Sequence, residues 1–308
     1  MFPAVLEGID VMWVRRSLRH LALRAARRID VDLWRYLMIR PFVLEVIPDH
    51  VEQLDPEGYV PAPVVVGAGV DLRETDQLTL LTSWRGRFSS LFASLREDPQ
   101  INTMAIGRPY LHNGFYPTPD AEVYAAMIAE RVPRRIVEIG AGFSTRIARR
   151  TISEIASDTE LVIIDPEPRA DISGVADTIF LDRFEDIDRT TLGLDGRTLL
   201  FVDSSHIVSA GGDVTDLFCR VIPELPPGVL IHFHDIFLPY DYPPAYVRRL
   251  YTEQYVLWAL LARGSMFRVV FATHFMTRNH TAAMQQVFGS VVGVDELYFG
   301  GSFWVEAV

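Results

Sequence analysis

From residue 134 onward the chain alternates short apolar runs with helical stretches, and no other feature constrains its fold as much. The runs are RRIVEIG (134–140), LVIID (161–165), TIFLD (178–182), TLLFVD (198–203), GVLIHFHD (228–235), FRVVFATH (267–274) and GSFWVEA (301–307). Between them, residues 143–155, 214–225 and 243–264 read as helices. Apolar strands that alternate with helices predict a mostly parallel sheet covered on both faces. Such sheets bind ligands at the carboxyl ends of their strands, where the strand order switches. The polar residues at those ends are therefore the candidates for chemistry.

The front third is less regular. Residues 11–40 read as a basic amphipathic helix, residues 41–75 as short strands and turns, and 76–98 as helical again. Residues 99–118 are dense in turn formers, and a helix is predicted from Asp120. This divides the chain into a mainly helical extension over 1–105, expected to shape a pocket or an oligomer contact, and a regular α/β domain over 106–308. Residues 1–40 carry eight arginines against Glu7, Asp10, Asp30 and Asp32, which leaves a charge of -15 on residues 41–308 out of a total of -11. A basic helix of this kind packs on its own acidic domain, meets a second copy of the chain, or lies on an anionic membrane. The acidic total argues against a nucleic-acid partner. No apolar run reaches the roughly 18 residues of a membrane span, and MFPAVLEGID lacks the pattern of a signal peptide, so a cytoplasmic location is expected.

Two absences narrow the chemistry. The chain has no lysine, which excludes Schiff-base chemistry and a P-loop lysine. It has one cysteine, Cys219, too few for a disulfide within the chain or a cysteine-based zinc site.

The first strand ends in Val137-Glu138-Ile139-Gly140-Ala141-Gly142-Phe143-Ser144-Thr145. The two glycines allow a sharp strand-to-helix turn and close approach of a ligand. Thr145 stands where the dinucleotide fingerprint has its third glycine, and Glu138 lies inside the strand, where an acid suits an amine-bearing ligand. Asp165, at the second strand end, can accept both hydroxyl hydrogens of a ribose or cap the turn before Pro166.

The fourth and fifth strand ends carry Asp203-Ser204-Ser205-His206 and His232-Phe233-His234-Asp235. Adjacent parallel strands bring Asp203, His206, His234 and Asp235 around one point, while His232 reads as a core histidine. Carboxylates and an imidazole facing a cleft suit Mg²⁺ or Mn²⁺ more than a closed zinc site. His206 is left to accept a proton near neutral pH. The competing reading is local capping and hydrogen bonding.

The VEIGAGFST segment, Asp165 and a sheet ending near residue 307 resemble the class I S-adenosylmethionine-dependent methyltransferases, over roughly residues 115–308. The resemblance implies a Rossmann-like, doubly wound, seven-stranded, mostly parallel α/β sheet that binds S-adenosylmethionine. It implies cofactor contacts from Glu138, Gly140, Gly142, Ser144, Asp165, Asp203 and Ser204, with Asp182-Arg183-Phe184 near the adenine. The strand-end cluster resembles the branch of metal-dependent macrolide-sugar O-methyltransferases and cephalosporin-hydroxylase-type proteins. GVLIHFHDIFLPYDYP is also similar to the bacterial family labelled Methyltransferase 24. By that likeness Asp203, His234 and Asp235 hold Mg²⁺ or Mn²⁺ and His206 is the base, although His234 replaces a carboxylate of the branch. Tyr240, Asp241 and Tyr242 form an acceptor wall or a rigid structural loop, and Tyr116 is expected to cover the cofactor.

The leading expectation is O-methylation of a small or glycosylated natural product. Two other readings stand beside it: an NAD-dependent oxidoreductase on a similar sheet, and a non-catalytic cofactor-binding partner protein.

Overall fold

In a computed structural model of the chain, residues 69–243, 246 and 249–308 are described. The basic helix expected over 11–40 and most of the Val- and Pro-rich segment after it lie outside these residues.

Seven strands form one sheet. They are β1 (Arg135–Ile139), β2 (Glu160–Ile164), β3 (Thr178–Phe180), β4 (Thr198–Val202), β5 (Leu230–Phe233), β6 (Phe267–Ala272) and β7 (Phe303–Ala307). Their order is β3-β2-β1-β4-β5-β7-β6. The first five run parallel, and β7 enters antiparallel between β5 and β6. The seven-stranded, mostly parallel α/β sheet expected from the sequence is the sheet observed. β4 and β5 are buried along their whole length, which explains their unbroken apolar character. The order switches between β1 and β4, so the carboxyl ends of these two strands border a crevice.

The segment 76–98 is two helices, α1 (Glu74–Trp84) and α2 (Ser89–Glu97), separated by a turn in which Gly86 takes a left-handed φ of 78°. Both belong to the sheet's own core. Trp84 is fully buried, with its ring 5.2 Å from Phe271 on β6. Burying a large apolar side chain contributes about 2–3 kcal/mol. Helices α3 (Asp120–Arg131) and α4 (Phe143–Glu154) flank β1 in sequence.

Two helical expectations need correction. The stretch 214–225 is a short helix α5 (Asp213–Asp216), a π turn (Leu217–Val221) and a 3₁₀ turn (Ile222–Glu224). Pro223 lacks the N–H that would continue an α-helical ladder. Among the described residues of 243–264, Tyr246 is helical, Leu250 then turns left-handed at φ 61°, and the helix resumes as α6 (Glu253–Leu261), so one continuous helix is not formed. The run 267–274 likewise leaves the sheet at Ala272, where α7 (Thr273–Asn279) and then α8 (Thr281–Phe288) follow. No helix among the described residues is long and apolar enough to cross a membrane.

Candidate functional site

The turn from β1 into α4 is held from three sides. Gly140 N donates to Ile164 O at 3.0 Å, and Asp203 N donates to Ile139 O at 2.9 Å, which draws the end of β4 against the turn. Gly140 has φ 87°, and a Cβ there would overlap the Asp203 carbonyl oxygen, so glycine is required. Gly142 is different: its backbone is extended and a Cβ would find ordinary contact with Arg169. From beneath, Glu138 accepts hydrogen bonds from Tyr124 OH (2.8 Å) and Thr145 Oγ1 (2.6 Å), and Thr145 Oγ1 accepts from Gly142 N (3.2 Å). Burial raises the Glu138 pKa to about 7. Glu138 thus braces the turn and lies outside the cavity above it. Ser144 is also buried in the first turn of α4, away from that cavity.

The cavity has a volume of about 460 Å³, and Gly140, Asp165, Glu167, Phe184, Asp203 and Ser204 are among its lining residues. Asp165 accepts from Ala141 N and Glu167 N, both at 2.7 Å, so it shapes the rim in the capping role as well as facing the cavity. Ser204, which lines the cavity, has its Oγ buried without a hydrogen-bond partner among the described residues. Together with the Gly140 cradle, it makes the cavity fit a nucleoside-type methyl donor. Arg183 also lines this cavity, and Asp182 does not.

A second cavity, of about 520 Å³, opens at the ends of β4 and β5. Its walls include Phe115, Asp120, His234, Asp235, Tyr246 and Arg249. Asp203 and Arg169 line both cavities, so the two meet at these side chains.

The predicted cluster does come together. His206 Nε2 lies 3.1 Å from Asp203 Oδ1 and 3.8 Å from Asp235 Oδ2. His234 Nδ1 lies 3.4 Å from Asp203 Oδ1 and 3.7 Å from Asp235 Oδ1, and it makes no aligned hydrogen bond. His206 and Asp235 both adopt left-handed backbones, φ 61° and 53°. Non-glycine residues keep such strain only where the surroundings enforce it, commonly at functional sites. Burial disfavours the charged form of both histidines, but the carboxylates outweigh it. The His206 pKa is held well above its ordinary value by hydrogen bonds to Asp203 and Glu253, and Asp235 and Asp203 lift that of His234 to about 9. Burial opposes the charge of Asp203 too, yet His234 and His206 hold its pKa well below the usual carboxylate range.

Three expectations change here. His206, expected to face the acceptor as base, is buried, lines neither cavity and places both ring nitrogens against carboxylates. The magnesium or manganese set of Asp203, His234 and Asp235 does not fit this arrangement. Both imidazoles lie against Asp203 Oδ1 and within 4 Å of Asp235, and no group of three or more His, Cys, Asp or Glu among the described residues is disposed to hold a metal ion. Tyr116 does not cover the first cavity: it is buried, its ring 4.9 Å from that of His234 and its OH 3.2 Å from Ser302 Oγ.

His232 is the core histidine expected, stacked 4.1 Å from Phe201 with Nε2 2.9 Å from Ser302 Oγ. Tyr240, Asp241 and Tyr242 fall outside both linings. Asn279 Nδ2 donates to Tyr240 OH, Tyr255 OH donates to Asp241, and Tyr242 is buried, which favours the rigid-loop reading.

Four site residues escaped the sequence reading: Asp120, Arg169, Arg249 and Glu253. Asp120 looked like an ordinary first-turn acid, but its two oxygens accept from Gly301 N (2.7 Å) and Ser302 N (2.9 Å). Glu253 sat unmarked in a mixed helical stretch.

Residues 137–236 match the model of a family described as a methyltransferase domain. An uncharacterized protein of Archaeoglobus fulgidus is 38% identical over 101 residues, which are 32% of this chain and 44% of that protein, so the chain spans less than half of that relative. Among solved structures, the O-methyltransferase TomG of Streptomyces achromogenes, in complex with SAM and involved in tomaymycin synthesis, is 18% identical. That comparison covers 73% of this chain and 96% of that one, with a TM-score of 0.39. The Bacillus cereus O-methyltransferase in complex with SAH is 15% identical, with coverage of 74% and 99% and a TM-score of 0.38. The matched segment begins within β1 and ends just past β5, taking in the glycine turn and the whole strand-end cluster. Over residues 137–236, then, this chain is similar to a methyltransferase-domain family, on a seven-stranded, Rossmann-like sheet.

Proposed function

We propose that the domain transfers a methyl group from S-adenosylmethionine to a hydroxyl oxygen of a small or glycosylated natural product. One observation carries the reading: two cavities, each of a size suited to a small molecule, share Asp203 and Arg169. S-Adenosylmethionine supplies an activated methyl on a cationic sulfur. The first cavity suits it, with Asp165 and Glu167 as acceptors for ribose hydroxyls and Ser204 Oγ as an unspent polar contact. The second cavity offers an acceptor the aromatic faces of Phe115 and Tyr246 beside the carboxylates of Asp120 and Asp235.

Asp203, at the seam, stays ionised at neutral pH. It orients an acceptor hydroxyl and offsets positive charge on the donor side. His206 reaches the acceptor through Asp203 and not directly. As the O–C bond forms and the S–C bond breaks, the hydroxyl proton passes to the carboxylate facing it in the second cavity, Asp203 or Asp235, and from there to water, and S-adenosylhomocysteine is released. Most of the rate then comes from alignment of two bound molecules, worth several kcal/mol when reacting atoms are held near contact.

The NAD-dependent alternative has less support. Thr145, in place of the third glycine, is bound into the Glu138 brace, and Glu138 is committed beneath the turn. The non-catalytic alternative leaves the strained His206 and Asp235 backbones without a purpose. Calorimetric titration of S-adenosylhomocysteine, with Mg²⁺ and with chelator, beside NAD⁺, tests the assignment. Micromolar binding of S-adenosylhomocysteine in both buffers without NAD⁺ binding is expected. Binding of NAD⁺, or no binding of S-adenosylhomocysteine, overturns it.

A further inference from the structure

Glu253 is fully buried in the first turn of α6, and the methyl-transfer reading does not yet use it. A buried carboxylate is costly unless paired. Its partner is His206, 47 residues away in sequence, whose Nδ1 lies 2.8 Å from Glu253 Oε2. The opposite ring nitrogen meets Asp203 Oδ1, so the imidazole is gripped at both ends by carboxylates. Glu253 Oε1 has no partner, so the carboxylate's hydrogen bonding is spent on His206.

The backbone repeats the grip. Thr252 N and Glu253 N both donate to the His206 carbonyl oxygen, at 2.8 and 3.1 Å, and Val208 N donates to Thr252 Oγ1 at 2.8 Å. These bonds enforce the left-handed φ of His206. The neighbouring Tyr251, whose ring is 4.5 Å from that of His206, lines the second cavity. Asp203 receives the His206 and His234 contacts on the same oxygen, Oδ1, and among the described residues its Oδ2 takes none. A carboxylate anchored through one oxygen presents the other in a fixed direction, whereas an unanchored one rotates.

We infer that Glu253 is a positioning residue: through His206 it fixes the Asp203 carboxylate at the seam of the two cavities, as the counter-charge to a cationic methyl donor. The inference rests on the methyl-transfer reading, and it concerns how the site tells the charged donor, S-adenosylmethionine, from its neutral product, S-adenosylhomocysteine. A fixed carboxylate favours the charged molecule selectively, because reorientation need not be bought on binding.

Calorimetry on the full chain with both molecules, for the wild type, Glu253→Ala and Glu253→Gln, reads this preference without an acceptor. Glu253→Ala is expected to lose fivefold or more of the wild-type ratio of affinities while keeping its affinity for S-adenosylhomocysteine. Glu253→Gln, which keeps the volume and an acceptor for His206, is expected to lose about twofold. A parallel weakening of both molecules marks a merely structural residue and overturns the inference. So does an unchanged ratio in Glu253→Ala, or in Glu253→Gln alone if the alanine variant does not fold. A wild type that binds neither molecule refutes the methyl-transfer reading itself.

Discussion

Glu138 makes the stability of this fold depend on pH in a way that one substitution removes. Burial raises its pKa from an ordinary 4.5 to about 7. Between those values the unfolded chain has released the proton while the folded chain still holds it. The unfolded state therefore binds fewer protons, and stability falls as pH rises through this window. At about 1.4 kcal/mol for each tenfold change in proton affinity, the difference is worth roughly 3 kcal/mol. The group is fully buried, so solvent screening takes little from that figure. Glu138→Gln keeps the shape and carries no charge at any pH. Urea unfolding of both proteins at steps from pH 4.5 to 7.5 isolates the contribution, because other titrating groups cancel in the difference. The variant is expected to lose stability relative to wild type at pH 4.5, where the hydrogen bonds to Tyr124 and Thr145 are disturbed. It should recover roughly 3 kcal/mol relative to wild type by pH 7.5. A difference between the two proteins that stays flat within about 0.5 kcal/mol over this range would refute the reasoning.

Two substitutions test the donor cavity. Gly140→Ala forces a Cβ into the Asp203 carbonyl oxygen at a left-handed position, and should cost about 3 kcal/mol or more in denaturant unfolding and abolish binding of S-adenosylhomocysteine; a near-native, binding-competent variant contradicts the packing described. Ser204→Ala removes a hydroxyl with no partner among the described residues, so its melting temperature should hold while affinity for S-adenosylhomocysteine drops five- to tenfold, about 1 kcal/mol; unchanged affinity removes Ser204 from the site.

The sheet was legible because its central strands β1, β2, β4 and β5 are almost wholly buried and read as mostly apolar runs closed by glycine or acid. The convergence of Asp203, His206, His234 and Asp235 was legible for the same reason, since parallel neighbours put their ends together. The burial of His206 was not. Whether an imidazole at a strand mouth faces the cleft or turns under it depends on what packs behind it, and Glu253 comes from a helix 47 residues on. Arg169 and Arg249 were hidden likewise, since each reaches the cavities from a connection whose path no periodicity encodes, while Asp120 begins α3, where an acid reads as an ordinary first-turn residue. Glu138 shows a subtler miss. The acid inside β1 was noticed, but a sequence cannot say that Tyr124 and Thr145 would claim both its oxygens. The break in 243–264 turned on one left-handed residue, Leu250, which carries no glycine to mark it.

The place of β7 bears on how the chain is assembled at the ribosome. β6 pairs in the sheet with β7 alone, and β7 follows every other strand of the sheet in the chain. The five parallel strands can zip together while synthesis continues, but β6 must wait, unpaired, until β7 has been made. Through that interval the free edge of β5 is a template for a wrong partner, whether β6 itself or a neighbouring nascent chain. Insertion of β7 closes that edge and recruits β6 in a single late event. Late insertion of β7, more than slow formation of the parallel strands, is then the step at which a crowded translation system exposes this fold to aggregation.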